Sequence, residues 1–304
     1  MSGHATPSVG AYSVIDEPSL AERTSIRLGG KAIAEIRLHC LEGLEAVPDL
    51  VKRLGGRLVL LGEGSNVIAS DGRLPLVPLR LPPSHEAWIC GDEGGSALLR
   101  AEGGMRLPAL LAQAAILGLS GLEGLAGIPG SVGGAVAMNA GSFGVEIGGL
   151  AERVEIFSPD LGLIERPAGD FDFRYRDCRL RGHDGWFLVC GLVLRLAKSG
   201  RDSVRDGMRE VYAKKRASQP VTARSAGCVF KNPAPGVPAG RLIEEAGLKG
   251  HNVGGMRFSP LHANFLVNEG GGSFPEAMEL MDLAREKVRA CSGYELEKEV
   301  KIWR

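Results

Sequence analysis

Between Gly118 and Gly149 the chain carries 11 glycines in 32 positions, against 44 in all 304 residues. Glycine loses more conformational freedom on folding than any other residue and adds no side chain to a core. Such density makes sense where backbone must turn sharply or approach something closely. The run from Gly124 to Val145 is also uncharged over 22 residues, long enough to span a membrane. Its seven glycines, with Pro129, Ser131, Asn139 and Ser142, do not suit a helix that must satisfy its own backbone in lipid. The run is expected to be a system of glycine loops, with no membrane insertion.

A second glycine site, Leu61-Gly62-Glu63-Gly64-Ser65-Asn66, directly follows the apolar run Arg57–Leu61. Successive N–H groups in a glycine turn form an anion-binding nest, and Ser65 and Asn66 add side-chain donors. Two such segments some sixty residues apart suit a pyrophosphate gripped from two sides. This is not the dinucleotide fingerprint of a Rossmann fold. Position 67 is valine where the third glycine would stand, and Val67-Ile68-Ala69 reads as extended rather than helical.

The charges balance, with 36 Lys+Arg and 36 Asp+Glu, which argues against a protein dominated by nucleic-acid backbone contacts. Apolar residues at 44% and charged residues at 24% suit a soluble globular chain, and the length suggests two domains. The six cysteines form no CxxC pair and no zinc-spaced cluster with histidine. They read as free thiols of a reducing cytoplasm, with no metal site. The first twenty residues show neither a basic start nor an apolar core, so they do not read as a secretory signal. They are expected to be a mobile arm.

Strand-like runs lie at Glu35–Cys40, Arg57–Leu61, Leu76–Leu79, Ala87–Cys90, Ala97–Ala101, Arg153–Phe157 and Phe187–Leu196, bounded by turn residues. Leu107–Leu117 reads as a helix with Pro108 in its first turn and Gly118 beyond its end. The polar stretch Ser199–Gly207 marks the expected boundary between a domain over 21–200 and a second over 201–304. In the second, Val204, Met208 and Val211 mark a helix ended by Pro220, and Leu242, Ile243 and Ala246 a short helix. Ser273 and Glu276 form a capping-box pattern ahead of a helix ended by Gly293. Glu297–Trp303 reads as a terminal strand.

Seven motifs, GEGSN (62–66), GIPGSVGGAVAMNAG (127–141), YRD (175–177), SAGCVFKNP (225–233), AGLKG (246–250), HANFLVN (262–268) and LEKEVKIW (296–303), resemble the UDP-N-acetylenolpyruvoylglucosamine reductase family in its shorter form. They follow the family order over nearly all of 22–303. The resemblance implies an α+β chain: an FAD-binding domain of the p-cresol methylhydroxylase type followed by a smaller α/β substrate domain. It implies non-covalent FAD and NADPH-dependent reduction of UDP-N-acetylglucosamine enolpyruvate to UDP-N-acetylmuramate, a cytoplasmic precursor of peptidoglycan. A monomer is expected.

Gly62, Glu63, Gly64, Ser65 and Asn66 then become candidate cofactor residues, with Ile128, Pro129, Gly130, Ser131, Gly133, Gly134, Asn139, Ala140 and Gly141. Arg176 matches the family's catalytic arginine, and its permanent forked charge suits a carboxylate that gains charge. Glu299 matches the catalytic glutamate, which helps beside developing negative charge if it is protonated or orients a donor. Cys228 stands where the family usually has serine as proton donor. A thiol, with a reference pKa near ~8.5, is a far stronger acid than a serine hydroxyl. Tyr175, Lys231, Asn232, Lys249 and His262 resemble UDP-sugar contacts. Lys215 and Arg216 suit flavin or substrate phosphates, and equally a solvated helix face. Phe143 stands where the family often has tyrosine, so no hydroxyl role carries over. Two rival classes are an oxidase of small alcohols on the same cofactor fold, and a catalytically silent flavin or nucleotide-sugar binder.

Overall fold

The computed structural model describes residues 10–304, and it is a mixture of helices and strands, α+β in class. The chain divides into two compact units, neither of which is contiguous. The first holds the described residues up to Asp16 together with Ala34–Gly62 and Leu76–Tyr212. The second holds Glu17–Ile33, Glu63–Pro75 and Ala213–Arg304.

This corrects the contiguous division expected above. Two early segments belong with the C-terminal residues, and Ser199–Gly207 is not a linker but leads into and forms part of the helix Arg201–Ser218. The expected arm over 1–20 is also corrected where it is described. Tyr12–Asp16 is a strand and Leu20 is fully buried; residues 1–9 lie outside the described residues.

In the first unit, Tyr12–Asp16 pairs antiparallel with Ala34–Leu38, which runs parallel to Leu76–Arg80, itself parallel to Arg57–Leu60. The helix Val47–Leu54 places Val47 and Leu50 in one core with Ile36, Leu38, Val77 and Leu79. An antiparallel sheet orders Gly162–Pro167, Ala151–Ser158, Leu188–Lys198, Ser96–Glu102 and Ala87–Glu93. Leu107–Leu117 forms the expected helix, with a proline in its first turn and Gly118 closing it at φ 69°. Leu110, Leu111 and Ala114 of that helix join Leu99, Leu192 and Leu194 of the sheet in the larger core. Truncating one such buried leucine to alanine costs about 2–5 kcal/mol. The glycine-rich run resolves into a turn at Glu123–Leu125, the short helix Val132–Ala137 and the two-residue strands Gly141–Ser142 and Val145–Glu146. No described helix is long and apolar enough to cross a membrane.

In the second unit, Ser225–Cys228, Phe265–Asn268, Met256–Phe258 and Asn252–Val253 form an antiparallel sheet. The helix Phe274–Ser292 lays Ala277, Leu280, Met281, Ala284 and Val288 into the core with Met256, Phe258 and Leu266. Its capping box is complete, Ser273 and Glu276 each bonding the other's backbone, a cap worth about 1 kcal/mol. Two parallel pairs close the unit: Lys31–Ala32 with Arg73–Leu74, and Val67–Ala69 with Lys301–Trp303. The expected terminal strand is therefore shorter than Glu297–Trp303. Residues 297–300 are irregular because their backbone bonds elsewhere, as described below.

Candidate active site

The glycine-rich segment of the first unit is built to bring backbone close to something. Gly127 and Gly130 take φ of 82° and 128°, where an L side chain is strained. Ser131 caps the helix Val132–Ala137, its Oγ accepting from the Gly134 N–H at 3.2 Å. A Cβ on Gly133 would stand 2.7 Å from the Val189 carbonyl oxygen, and one on Gly62 would stand 2.5 Å from Ser131 Oγ. The first glycine turn thus touches the second glycine segment at Gly62 and Ser131. Ile128 and Gly130 are half-buried while Pro129 and Gly134 are exposed, so this edge offers peptide backbone with little side chain over it.

Beside that edge lies a hairpin, Phe171–Arg174 with Asp177–Leu180. Tyr175 and Arg176 make its two-residue loop, and Arg176 takes φ 59°, a conformation glycine or asparagine usually fills. Arg176 Nη1 donates to the Gly141 carbonyl at 3.4 Å, and its guanidinium lies 5.1 Å from the centre of the half-exposed Tyr175 ring. The neighbouring arginines are bound to carboxylates: Arg174 to Asp172 at 2.8 Å and Arg179 to Asp177 at 2.7 Å.

The second unit joins three motifs that are far apart in sequence. Gly64 is buried at φ 65°, and a Cβ there would collide with the Arg23 carbonyl oxygen. The Gly64 carbonyl accepts from Ser25 N–H at 3.1 Å, and Ser25 Oγ donates to the Ser225 carbonyl at 2.5 Å. Asn66 Nδ2 donates to the Glu299 carbonyl at 3.4 Å, and Asn66's own carbonyl accepts from Lys301 N–H at 3.0 Å. Glu299 N–H donates to the Val229 carbonyl at 2.8 Å, directly after Cys228. Cys228 and Glu299 are both half-buried. The backbone of Glu299 is thus tied to the chain one residue beyond Cys228, and both side chains are of a kind that can deliver a proton.

Residues 34–157 match the model of an FAD binding domain, and residues 219–303 match that of the UDP-N-acetylenolpyruvoylglucosamine reductase C-terminal domain. The UDP-N-acetylenolpyruvoylglucosamine reductase of Nitratidesulfovibrio vulgaris is 52% identical over 289 residues, covering 95% of this chain and 98% of the relative. That of Oleidesulfovibrio alaskensis is 48% identical over 292 residues, covering 95% and 98%. The crystal structure of the Thermus caldophilus UDP-N-acetylenolpyruvylglucosamine reductase superposes with a TM-score of 0.79 at 33% identity, covering 96% of this chain and all of that one.

This chain belongs to the UDP-N-acetylenolpyruvoylglucosamine reductase family.

In this reductase-family chain the expected substrate residues fare differently. Lys231 pairs with Glu297 at 2.6 Å and Lys249 with Glu244 at 2.8 Å. Asn232 Oδ1 accepts from Ala239 N–H at 3.0 Å, at the start of the helix Ala239–Glu245. His262 packs edge-on against Phe265, and burial holds its imidazole below the usual histidine range. Lys215 is buried, and burial pushes its ammonium down to about 8, whereas Arg216 is exposed. Glu297 is exposed and does not share a strand face with Glu299, because the strand begins only at Lys301.

Two asparagines that the motifs contain had no expected task. Asn264 donates to the Phe230 carbonyl at 2.8 Å and accepts from Phe230 N–H at 3.0 Å. Asn268 Nδ2 donates to the Ile26 carbonyl at 3.0 Å, and its Oδ1 accepts from Gly270 N–H at 3.0 Å. Asn264 pins the segment just beyond the strand that carries Cys228, and Asn268 ties its own strand to Ile26. Their signal in the sequence was polar residues inside the otherwise apolar HANFLVN strand, where a buried amide must find partners.

Proposed function

We propose that the protein reduces UDP-N-acetylglucosamine enolpyruvate to UDP-N-acetylmuramate at the expense of NADPH, in the cytoplasm, as a step of peptidoglycan precursor synthesis. The observation that carries this reading is the seating of Glu299 on the residue after Cys228. It ties the segment of Glu299 to that of Cys228 in a chain 52% identical to a reductase of that name.

The matched domain implies FAD, and the exposed Pro129 and Gly134 beside half-buried Ile128 and Gly130 leave peptide backbone there for a dinucleotide to approach. Gly62, Gly64 and Gly133 stand where any side chain would strike a neighbour, and Gly130 where one would be strained. Gly62, Ile128, Pro129, Gly130, Ser131, Gly133 and Gly134 in the first unit would hold it, with Ala140 and Gly141 following. Glu63, Gly64, Ser65 and Asn66 are likewise proposed as cofactor residues. FAD held there would supply the hydride chemistry that links NADPH to the terminal carbon of the enol ether.

The protein's task is then charge and proton. Negative charge develops on the carboxylate side of the substrate, where Arg176 offers a fixed cation and forked donors. The Cys228 thiol gives its proton to the second carbon, so that the carbon–carbon double bond becomes a single bond and the thiolate is reprotonated from solvent. Glu299 holds a proton or orients a donor beside it. Tyr175, Lys231, Asn232, Lys249 and His262 are assigned to the nucleotide sugar, with Lys231 and Lys249 changing partners from Glu297 and Glu244.

Stopped-flow absorbance tests this. NADPH should bleach the flavin of the purified protein, and the enolpyruvyl sugar should restore its colour. Cys228→Ser should keep much of the recovery. Cys228→Ala should bleach normally and fail to recover; recovery at the parent rate removes Cys228 from the reaction. A protein whose bleached flavin is restored by oxygen but not by the sugar is an oxidase instead.

A further inference from the structure

Asn139 stands among the candidate cofactor residues, yet its side chain is engaged within the protein. It is 1% exposed. Its Nδ2 donates to Glu146 Oε2 at 2.9 Å and to the Arg174 carbonyl at 3.2 Å, and its Oδ1 accepts from Gly148 N–H at 3.0 Å. Both N–H bonds of the carboxamide are therefore spent inside the protein. Arg174 is the last strand residue before the Tyr175-Arg176 loop.

Two further contacts dock the same hairpin to the same segment. Arg176 Nη1 donates to the carbonyl of Gly141, two residues beyond Asn139. Phe173 lies over Gly148, where a Cβ would strike its ring and stand 2.8 Å from Asn139 Oδ1. Asn139 and Arg176 both take left-handed backbone, at φ 38° and 59°, and such conformations persist where the surroundings over-determine them. A loop that only had to close a hairpin would carry glycine or asparagine at the position of Arg176. An arginine held there, with a buried amide clamping the strand end beside it, points to a guanidinium whose placement matters.

We propose that Asn139 is a positioning residue for Arg176: its carboxamide locks the Phe171–Leu180 hairpin to the glycine-rich segment and so fixes the guanidinium against the backbone assigned to the cofactor. The inference rests on the catalytic role proposed for Arg176.

The test uses the flavin-loaded enzyme and a thermodynamic cycle. Asn139→Gly suits the left-handed backbone and deletes only the amide; Asn139→Asp keeps the size and the acceptor but loses both donors. A displacement of about 1 Å at a reacting group costs on the order of 100-fold. Each variant should therefore slow flavin recovery with the enolpyruvyl sugar by roughly 10–100-fold, with bleaching by NADPH and flavin content per chain unchanged. Amide hydrogen exchange over Phe171–Leu180 should quicken. In an Arg176→Ala background, Asn139→Gly should cause no further slowing. Losses that multiply, or bleaching and recovery that fall together, overturn the inference in favour of a general structural or cofactor-holding role. If Arg176→Ala alone leaves recovery unchanged, the failure lies in the role given to Arg176, and the inference falls with it.

Discussion

The backbone N–H of Glu299 donates to the carbonyl oxygen of Val229 at 2.8 Å, so the glutamate is anchored by its main chain. Asn66 strengthens the anchor by bonding the Glu299 carbonyl. Replacing the side chain therefore leaves the tether in place. Glu299→Gln should keep the melting temperature and the rate of flavin bleaching by NADPH. It should slow recovery with the enolpyruvyl sugar by about 100-fold or more, the usual weight of a general acid–base group. Stopped-flow traces of the two half-reactions check this directly.

Arg176 occupies a backbone conformation that suits asparagine better. Left-handed backbone costs an L residue about 1–2 kcal/mol. Arg176→Asn relieves most of that and gives up the guanidinium's contacts, among them a long hydrogen bond, about 0.5–1.5 kcal/mol, and a cation–π contact, about 0.5–1 kcal/mol. The terms nearly cancel. Stability by denaturant melts should stay within about 1 kcal/mol of the parent, while turnover should fall by about 100-fold or more. A variant that loses stability and activity in parallel would mark Arg176 as a fold residue.

The thiols should separate by reactivity. Burial pushes Cys178 and Cys190 up to about 12, so neither offers thiolate at neutral pH. Cys90 and Cys291 are exposed, and Cys40 and Cys228 lie between. Brief iodoacetamide treatment of the native enzyme should label Cys90 and Cys291 first without loss of turnover. Loss of turnover should follow the labelling of Cys228. Peptide mass spectrometry reads the order; early labelling of Cys178 or Cys190 contradicts the burial argument.

His262 gives the stability a pH dependence of known sign. Burial lowers its folded pKa below the ordinary 6.5, so on acidification the unfolded chain takes up the proton first. The stability it contributes is whole above 6.5 and is lost as pH falls through the folded value. His262→Gln should flatten this part of the melting profile below pH 6.5. An unchanged slope in the variant would show that His262 is not the group responsible.

Much of the local structure was legible because local chemistry marks it. The helix Leu107–Leu117 begins at a proline turn and ends at Gly118, and the capping box at Ser273 announces its helix. The convergence of GEGSN, SAGC and LEKEV was legible only through family resemblance. It depends on pairings such as Val67–Ala69 with Lys301–Trp303, and a three-residue strand leaves no mark of a partner more than two hundred residues away. Glu297–Val300 alternates like a strand, but its backbone is taken up by Val229 and Lys231. Asn139 was named from the GIPGSVGGAVAMNAG motif, and only the fold shows Arg174, Glu146 and Gly148 around its side chain.

The interleaving of the two units reaches back to synthesis. The strand Val67–Ala69 leaves the ribosome long before Lys301–Trp303 exists to complete it. At roughly 5–20 residues per second that wait is on the order of ten to fifty seconds. During it Ile68, fully buried in the finished molecule, is a naked apolar edge on a nascent polypeptide. Emergence of residues 301–303, rather than of the N-terminal half, completes this pair of the second unit. Neither unit can be exchanged between relatives as a single contiguous cassette.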